Sequence, residues 1–235
     1  MSNDCSQIAD NLARVQARIA AAAIRSGRTS ADVTLVAVTK YVDIDAAKAM
    51  IDAGSLDLGE SRPQELWRKA EAIAHKDLHW HFIGHLQRNK VRRTLPHIAL
   101  LHACDSVRRL AEVDRVSGEL GLEMKTLLEV NISGDESKHG FKPEEMASVI
   151  EALGQYEHVS VTGLMGMASL TGDTDSARRD FERLRQLRDS LQSQTPNGIS
   201  LDELSMGMSR DFEQAIEEGA TIVRVGSTLF EDIER

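Results

Sequence analysis

Short, nearly continuous apolar runs alternate along this chain with longer stretches in which apolar residues recur every three or four positions. The first pattern is that of a strand covered on both faces, the second that of a helix with one apolar stripe. Ile8, Leu12, Val15 and Ile19 form one such stripe, which predicts a helix over residues 7–25 with Gly27 as its stop. Val33-Thr-Leu-Val-Ala-Val-Thr39 predicts the first strand. A helix over 43–53 closed by Gly54, a short strand over 56–58 and a helix over 63–74 with Pro63 in its first turn follow. The pattern then predicts a strand over 78–83, a basic helix near 87–94 ended by Pro96, a strand over 98–103 and a helix over 106–120 stopped by Gly121. Beyond it come a strand over 126–131, a helix over 143–153 and a strand over 159–165. A long helix over 175–192 carries Phe181, Leu184, Leu187 and Leu191 on one face, and strands over 201–206 and 221–225 flank a helix over 211–218.

Eight strands separated by helices, with no linker or composition break, predict an α/β chain folded as a single (β/α)8 TIM barrel over residues 1–235, with an additional N-terminal helix. The competing fold is a doubly wound open sheet, but no G-x-G-x-x-G follows the first strand. The 235 residues, 41% hydrophobic and 28% charged, suit a soluble globule, and the net charge of -9 argues against broad binding to nucleic acid or anionic membrane. No stretch approaches the roughly 20 apolar residues of a membrane helix, and no apolar signal core opens the chain, so a cytoplasmic protein is expected. Cys5 and Cys104 lack metal-type spacing and fit reduced thiols.

Chemistry in such a barrel belongs at the C-terminal strand ends. Lys40 stands there after a strongly apolar strand; it is placed to form a Schiff base with an aldehyde, or simply to reach solvent along its aliphatic stem. Ser209, Gly226 and Ser227 follow the last two strands and suggest an anion cup, in which Ser209 would also cap the following helix. Capping and turn formation alone would also account for them. Arg224 interrupts the run Ile222-Val-Arg-Val225 and shares a strand face with Gly226; a buried guanidinium needs a partner, either an anionic ligand's neighbourhood or Glu129 or Glu203. His79 and His81 share a face but begin a strand, so core histidines are favoured over metal ligands. The basic run Arg88-Asn-Lys-Val-Arg-Arg93 reads as a solvated face or partner site rather than a nucleic-acid contact.

In order along the chain, Leu35-Val-Ala-Val-Thr-Lys40, Gly59-Glu60 with Gln64-Glu65, His79-Trp-His-Phe-Ile-Gly84 with Leu86-Gln87 and Asn89-Lys90, Asn131-Ile-Ser-Gly134 with Ser137-Lys138 and Gly140, Gly163-Leu-Met165, Leu204-Ser-Met-Gly-Met-Ser209 with Asp211-Phe212, and Val223-Arg-Val-Gly226 with Phe230 make a series. This series resembles the pyridoxal phosphate homeostasis protein family, single-domain relatives of the alanine racemase N-terminal barrel. The resemblance implies that pyridoxal 5′-phosphate (PLP) is the cofactor, held as an aldimine on Lys40. It implies that Ser209, Gly226 and Ser227 hold the phosphate, that Arg224 faces the pyridine nitrogen, and that Ile83 and Met165 line the ring pocket. Two positions depart from the family: Ser61 stands where Asn follows Gly-Glu, which puts a cofactor contact there in doubt, and Glu231 stands where Gly follows the final Phe.

The resemblance further implies PLP holding and vitamin B6 balance rather than turnover, with PLP-dependent apoenzymes as possible recipients and a monomer as the expected state. The alternatives are a PLP-dependent amino-acid racemase of low activity, or a barrel without PLP such as a metal hydrolase. Related racemases add a β-domain that supplies a tyrosine; the tyrosines here are Tyr41 and Tyr156, and Tyr41 would point away from Lys40 if the strand continued. An arginine at the ring nitrogen disfavours its protonation by like charge, which weakens the ring as an electron sink. Lys138, in the polar loop Ser133-Gly-Asp-Glu-Ser-Lys138, reads as a solvated loop lysine or as a relay for released PLP.

Overall fold

A computed structural model describes residues 3–135, 138–169, 172–196 and 199–233. Its strands β1 (Thr34–Val38), β2 (Asp57–Glu60), β3 (His79–Phe82), β4 (Leu100–Cys104), β5 (Met124–Val130), β6 (Val159–Gly166), β7 (Glu203–Met208) and β8 (Ile222–Val225) pair in sequence order, all parallel. Pairing of β8 with β1 closes them into a barrel, as the alternation of patterns predicts, and excludes the open sheet. Parallel neighbours cannot be joined by tight hairpins, so each connection crosses the outside of the barrel through helical segments. These carry helices α2 (Ile44–Asp52), α3 (Pro63–Ala72), α4 (Val91–Thr94), α5 (Val107–Leu120), α6 (Met146–Glu151), α7 (Thr174–Gln192) and α8 (Phe212–Glu217). Helix α1 (Asn3–Arg25) precedes the repeat.

Two segments depart from the pattern. The basic helix expected over 87–94 shrinks to the single turn of α4, flanked by 3-10 turns over Arg88–Lys90 and Leu95–His97. Gln87 is extended, and Pro96 cannot donate to a continuing ladder. The helix expected over 143–153 keeps α-geometry only in α6, between 3-10 turns at Pro143–Glu145 and Ala152–Gln155.

Apolar residues fall into two clusters. The larger lies between the outer strand faces and the helices; the smaller fills the barrel lumen with Val36, Leu100, Ala103, Leu127, Met165 and Ile222. Ile8, Leu12, Val15 and Ile19 of α1 are all buried in the outer cluster, so the predicted stripe is the packing face. The buried Asn11 amide donates to the carbonyls of Leu229 (3.2 Å) and Glu231 (3.0 Å), tying α1 to the turn after β8. Arg18 and Arg25 on α1 pair with Glu213 and Glu217 of α8, and Arg178 reaches Glu217 and Glu218. Glu231 meets Arg14 at 3.5 Å and so sits outside the barrel mouth.

One charged pair is sealed inside. Lys69 of α3 and Glu60 at the end of β2 are fully buried, with Nζ 2.5 Å from Oε1. The same ammonium donates to the Thr39 carbonyl at 2.6 Å, and the Thr39 hydroxyl donates to Glu60 Oε1 at 3.1 Å. Removing the cation strands a carboxylate in the interior, which typically costs about 3–5 kcal/mol. Lys69→Met is therefore expected to lose about that much stability in urea unfolding, and the double variant Lys69→Met/Glu60→Leu to recover most of it. A loss under about 1 kcal/mol, the range of an exposed pair, would show that the pair is not sealed from water.

Candidate functional site

Strand β1 ends at Val38, and Lys40 opens a turn at the C-terminal mouth, half-buried. Its carbonyl accepts from Arg62 at 3.0 Å, and the Thr39 carbonyl before it is held by Lys69, so both peptides flanking the residue are fixed. Because the strand stops, Tyr41 does not point away as a continued strand would require. The Lys40 ammonium lies 4.9 Å from the Tyr41 ring centroid, in cation–π range, while most of that tyrosine faces solvent.

Ser209 and Gly226 converge from the ends of β7 and β8: the Gly226 amide donates to Ser209 Oγ at 3.1 Å. The expectation that Ser209 caps the next helix fails. Asp211 occupies the cap position of α8, and its carboxylate accepts from the Met208 amide at 2.6 Å, so Ser209 stays turned toward β8. Gly207 makes this turn possible, with φ of +89° and no room for a Cβ, which would lie 2.5 Å from Ala215 Cβ. Ser227 follows, exposed. Burial raises the Asp211 carboxyl above its ordinary range, against the Met208 amide and the charge of Arg224.

Arg224 is buried in the lumen between register partners Val36 and Met208. Its guanidinium donates to the Ser205 carbonyl at 2.8 Å, to the Ser205 hydroxyl, and to the Gly166 carbonyl at 3.2 Å. No ion pair of Arg224 occurs among the described residues. Glu203, one partner considered for it, accepts instead from the Thr221 hydroxyl. Glu129, the other, acts on Arg224 through its charge, as does Asp211. Burial brings Arg224 down to about 10, against those two carboxylates. Burial and Asp105 raise Glu129, against Arg224 and His139.

Met165 lies in the lumen cluster with Val36 and Ile222, register partner to both Glu129 and Ser205. Ile83 follows β3 on the other flank of β1, near Gly59: a Cβ at Gly59 would meet Ile83 Cδ1 at 3.5 Å and Val36 Cγ1 at 2.9 Å. The expected ring-pocket residues thus bracket β1 from both sides. Ser61 backs onto Gly84, whose absent Cβ would lie 2.2 Å from the Ser61 carbonyl oxygen.

Both ring nitrogens of His81 have side-chain partners in this arrangement. Its Nε2 lies 3.0 Å from Asp57 Oδ1 and its Nδ1 2.9 Å from His102 Nε2; His102 Nδ1 is in turn 2.8 Å from Ser205 Oγ. His79 flanks Asp57 at 3.3 Å. His85, Asp105 and His139 do bring three possible ligand atoms within 4.8 Å of one another. Arg109 donates to His85 Nε2 at 3.1 Å and lies 3.6 Å from Asp105, so a fixed cation already occupies the second histidine nitrogen's lone pair. The basic run is neutralised on the surface: Arg88 meets Glu112, Arg92 meets Glu119, Arg93 meets Glu71, and Lys90 and Arg93 lie over the Trp67 ring.

A cleft of about 640 Å³ at the mouth is lined by His85, Asp105, Arg109, Lys138 and His139. A second, of about 500 Å³ and lined by Tyr156, Ser160 and Glu203, opens beside the starts of β6 and β7, away from Lys40. None of the residues expected to hold the cofactor lines either cleft, though Lys138 lines the first; Lys40, Ser209 and Arg224 belong to the barrel end itself. Lys138 is not free in solvent: its ammonium donates to Ser133 Oγ at 3.0 Å and the Ala168 carbonyl at 2.9 Å, pinning the loop after β5 to the loop after β6. Glu136 and Ser137 of its loop lie outside the described residues.

Lys69, Asp57, His102 and Ser205 are the members that pattern reading passes over. Lys69 looks like any exposed helix position. His102 and Ser205 carry the same signal as Arg224, a polar residue inside an apolar strand, in Leu100-Leu-His-Ala103 and Leu204-Ser-Met206.

Over residues 4–233 the chain matches the family described as alanine racemase, N-terminal domain. It is 40% identical to the pyridoxal phosphate homeostasis protein of Pseudomonas aeruginosa, over 96% of this chain and 95% of that one. To the protein of the same description from Aquifex aeolicus it is 38% identical, over 94% of this chain and 96% of that one. Among solved structures it resembles PipY of Synechococcus elongatus PCC7942 with PLP bound, at a TM-score of 0.84 and 34% identity, covering 95% of this chain and 99% of that one.

The bonds of Lys138 make a prediction of their own. Lys138→Ala removes the tie between two loops without opening the core, so global stability is expected to fall by no more than about 1–2 kcal/mol. Amide exchange should quicken locally at residues 132–135 and 167–169. Unchanged exchange in both loops would mean that other contacts hold them.

Proposed function

The chain belongs to the pyridoxal phosphate homeostasis protein family, and from that premise we propose that it holds PLP on Lys40 at the mouth of the barrel and keeps it available to acceptors inside the cell. The observation that carries this reading is the meeting of three features at one barrel end. Lys40 stands on a fixed turn, a hydroxyl and an amide converge from β7 and β8, and a buried arginine lies one strand face below Gly226.

The donor set fits the cofactor. PLP carries a phosphate, a pyridine nitrogen and an aldehyde, and when bound it supplies an electrophilic carbon and an electron-withdrawing ring. Ser209, Gly226 and Ser227 offer hydroxyl and amide donors for the phosphate. Lys40 offers the amine whose nitrogen joins the aldehyde carbon, with the aldehyde oxygen leaving as water. Ile83 and Met165 offer apolar walls for the ring. Arg224 offers N–H donors and no acceptor, so it suits an unprotonated ring nitrogen and opposes a protonated one.

That last feature supports a holding role over turnover. A ring nitrogen kept unprotonated draws electrons weakly, and racemisation or transamination depends on that pull. Tyr41 presents its ring to Lys40 and is largely solvated, a poor setting for a proton donor at a reacting carbon. No described helix is long and apolar enough to cross a membrane. We read the protein as cytoplasmic and monomeric, with PLP-dependent apoenzymes as the acceptors.

Two measurements test the reading. After borohydride reduction, intact-mass analysis is expected to find one PLP adduct on Lys40, absent from Lys40→Ala; an adduct of the same yield on another lysine would overturn the assignment. Ser209→Ala loses one hydrogen bond to a charged group, about 1.5–3 kcal/mol, so PLP affinity should fall about tenfold to a hundredfold. Pyridoxal, which has no phosphate, should bind the variant as it binds the parent. An equal loss for both ligands would remove Ser209 from the phosphate site.

A further inference from the structure

Five side chains from five strands form one hydrogen-bonded line through the barrel lumen. Arg224 on β8 donates to Ser205 on β7. Ser205 Oγ lies 2.8 Å from His102 Nδ1 on β4, His102 Nε2 lies 2.9 Å from His81 Nδ1 on β3, and His81 Nε2 lies 3.0 Å from Asp57 Oδ1 on β2. Between β7 and β4 the line crosses the lumen from one wall to the other. Ser205 and His102 are fully buried, whereas Asp57 and its neighbour His79 open their strands at the N-terminal rim, with 31% and 58% of their side chains exposed. The line therefore runs from water at one end of the barrel to the arginine beneath the mouth at the other.

With neutral imidazoles and an ionised Asp57, one direction is left for every proton in it. A guanidinium only donates, so Ser205 Oγ accepts from Arg224 and is left with one hydrogen to give. An ionised carboxylate only accepts, so a neutral His81 gives its Nε2 proton to Asp57, which places the proton of a neutral His102 on Nε2 and leaves His102 Nδ1 to accept from Ser205. All four bonds run from Arg224 to Asp57, a cation at one end and an anion at the other, with both imidazoles neutral. Burial, His81 and Arg224 push His102 well below the ordinary histidine range, which agrees with a neutral ring there. Burial raises Asp57, but its bonds and charge contacts with His81 and His79 outweigh that and leave it below the ordinary carboxylate range, an anion.

We propose that Ser205, His102 and His81 are positioning residues that fix the Arg224 guanidinium through this one-way chain and make its field at the cofactor ring depend on the state of Asp57 and His81 at the far rim. The proposal rests on the reading that Arg224 faces the PLP ring nitrogen. His81 faces Asp57 from β2 and His102 from β4, and His79 stands beside Asp57. Beyond His102 stand Arg224 and the two carboxylates that act on it, Glu129 on β5 and Asp211 before α8. A proton taken from solvent by His81 Nδ1 would meet the Nε2 proton of His102. The conflict is relieved when His102 exchanges that proton for one on Nδ1, so that Ser205 accepts from both His102 and Arg224. One proton is gained, at His81, and the polarity at Ser205 reverses next to the guanidinium.

The test has an arm without cofactor and an arm with it. In PLP-free protein at pH 8, nitrogen-15 correlation spectra of the imidazoles are expected to show His81 and His102 as neutral Nε2–H tautomers, with His102 changing tautomer as His81 titrates. A proton on His102 Nδ1 at pH 8, or titration of His81 without response from His102, would overturn the chain. In PLP-loaded protein, Asp57→Asn sits at the remote rim and keeps an acceptor for His81 but loses the charge. It should shift the pH midpoint of the cofactor's visible absorbance by about one unit, the scale of a charged neighbour's effect; a merely structural role at the rim would leave that midpoint in place. Ser205→Ala should shift it in the absence of any change at the rim, while Ser205→Thr restores it. Full loading with an unmoved midpoint in both Asp57→Asn and Ser205→Ala would overturn the proposal alone. A parent protein that takes up no PLP while its histidine spectra are as expected would overturn the PLP reading, and the cofactor end of the proposal with it.

Discussion

The ammonium of Lys69 is the contact on which the mouth of this barrel depends. It is wholly buried, and it bonds at once to a buried carboxylate on β2 and to the carbonyl of the residue before Lys40. Taking two charges out of water costs several kcal/mol per ion, and their attraction repays this only when geometry and additional hydrogen bonds are good. Here the repayment is incomplete, since Glu60 Oε2 has no hydrogen-bond partner among the described residues. A pair of apolar residues would fill the same space without that cost. What they would not do is grip the Thr39 carbonyl, which lies just beyond the last residue of β1. The pair therefore exchanges stability for a defined position of the chain where β1 leaves the sheet, and Lys40 is the next residue.

The same constraint governs the lumen. A closed barrel of parallel strands offers its interior no water, so each polar side chain placed there needs a protein partner. Arg224 meets the demand with a hydroxyl and two carbonyls rather than with a carboxylate. That choice leaves its charge uncompensated at close range, with Glu129 and Asp211 acting from further off. An ion-paired guanidinium would present little net field to a ligand. One bonded to neutral groups keeps its field, and the hydrogen-bonded line behind it ends on a carboxylate at the opposite rim.

The frame was legible in the chain because both of its periodicities are strong. Runs such as Val33–Thr39 have no polar face to expose, and α1 repeats Ile8, Leu12, Val15 and Ile19 so regularly that its packing face could be named in advance. Boundaries slipped where local chemistry overrides pattern, at Pro96 and around α6. The positions of Lys40, Ser209 and Gly226 just beyond strand ends were legible too, because each apolar run marks where its strand leaves the sheet. What the pattern could not carry were pairings between distant positions. Nothing along the sequence links Lys69 to Thr39, or His102 to Ser205, which are 103 residues apart. Ser209 shows the reverse limit: a serine ahead of a helix looks like a cap, and only the position of Asp211 two residues on redirects its hydroxyl toward β8.

Holding a reactive aldehyde and working with it make opposite demands on the ring nitrogen. An enzyme that removes an α-proton gains from a protonated ring, which a carboxylate partner secures and a guanidinium denies. A protein that must return its ligand unchanged gains from the second arrangement, because a weak electron sink leaves a bound amine's carbon bonds intact. The arginine must then stay charged and stay aimed. Burial alone works against the charge, bringing Arg224 down to about 10, still well above neutral pH. Aim is the harder condition, since a long side chain has many rotamers to lose. Bonds from both ends of one guanidinium edge to Ser205 and Gly166, on β7 and β6, settle it, and the histidines behind Ser205 fix the hydroxyl that receives one of them. The lumen of this barrel is thus arranged around keeping one cation still.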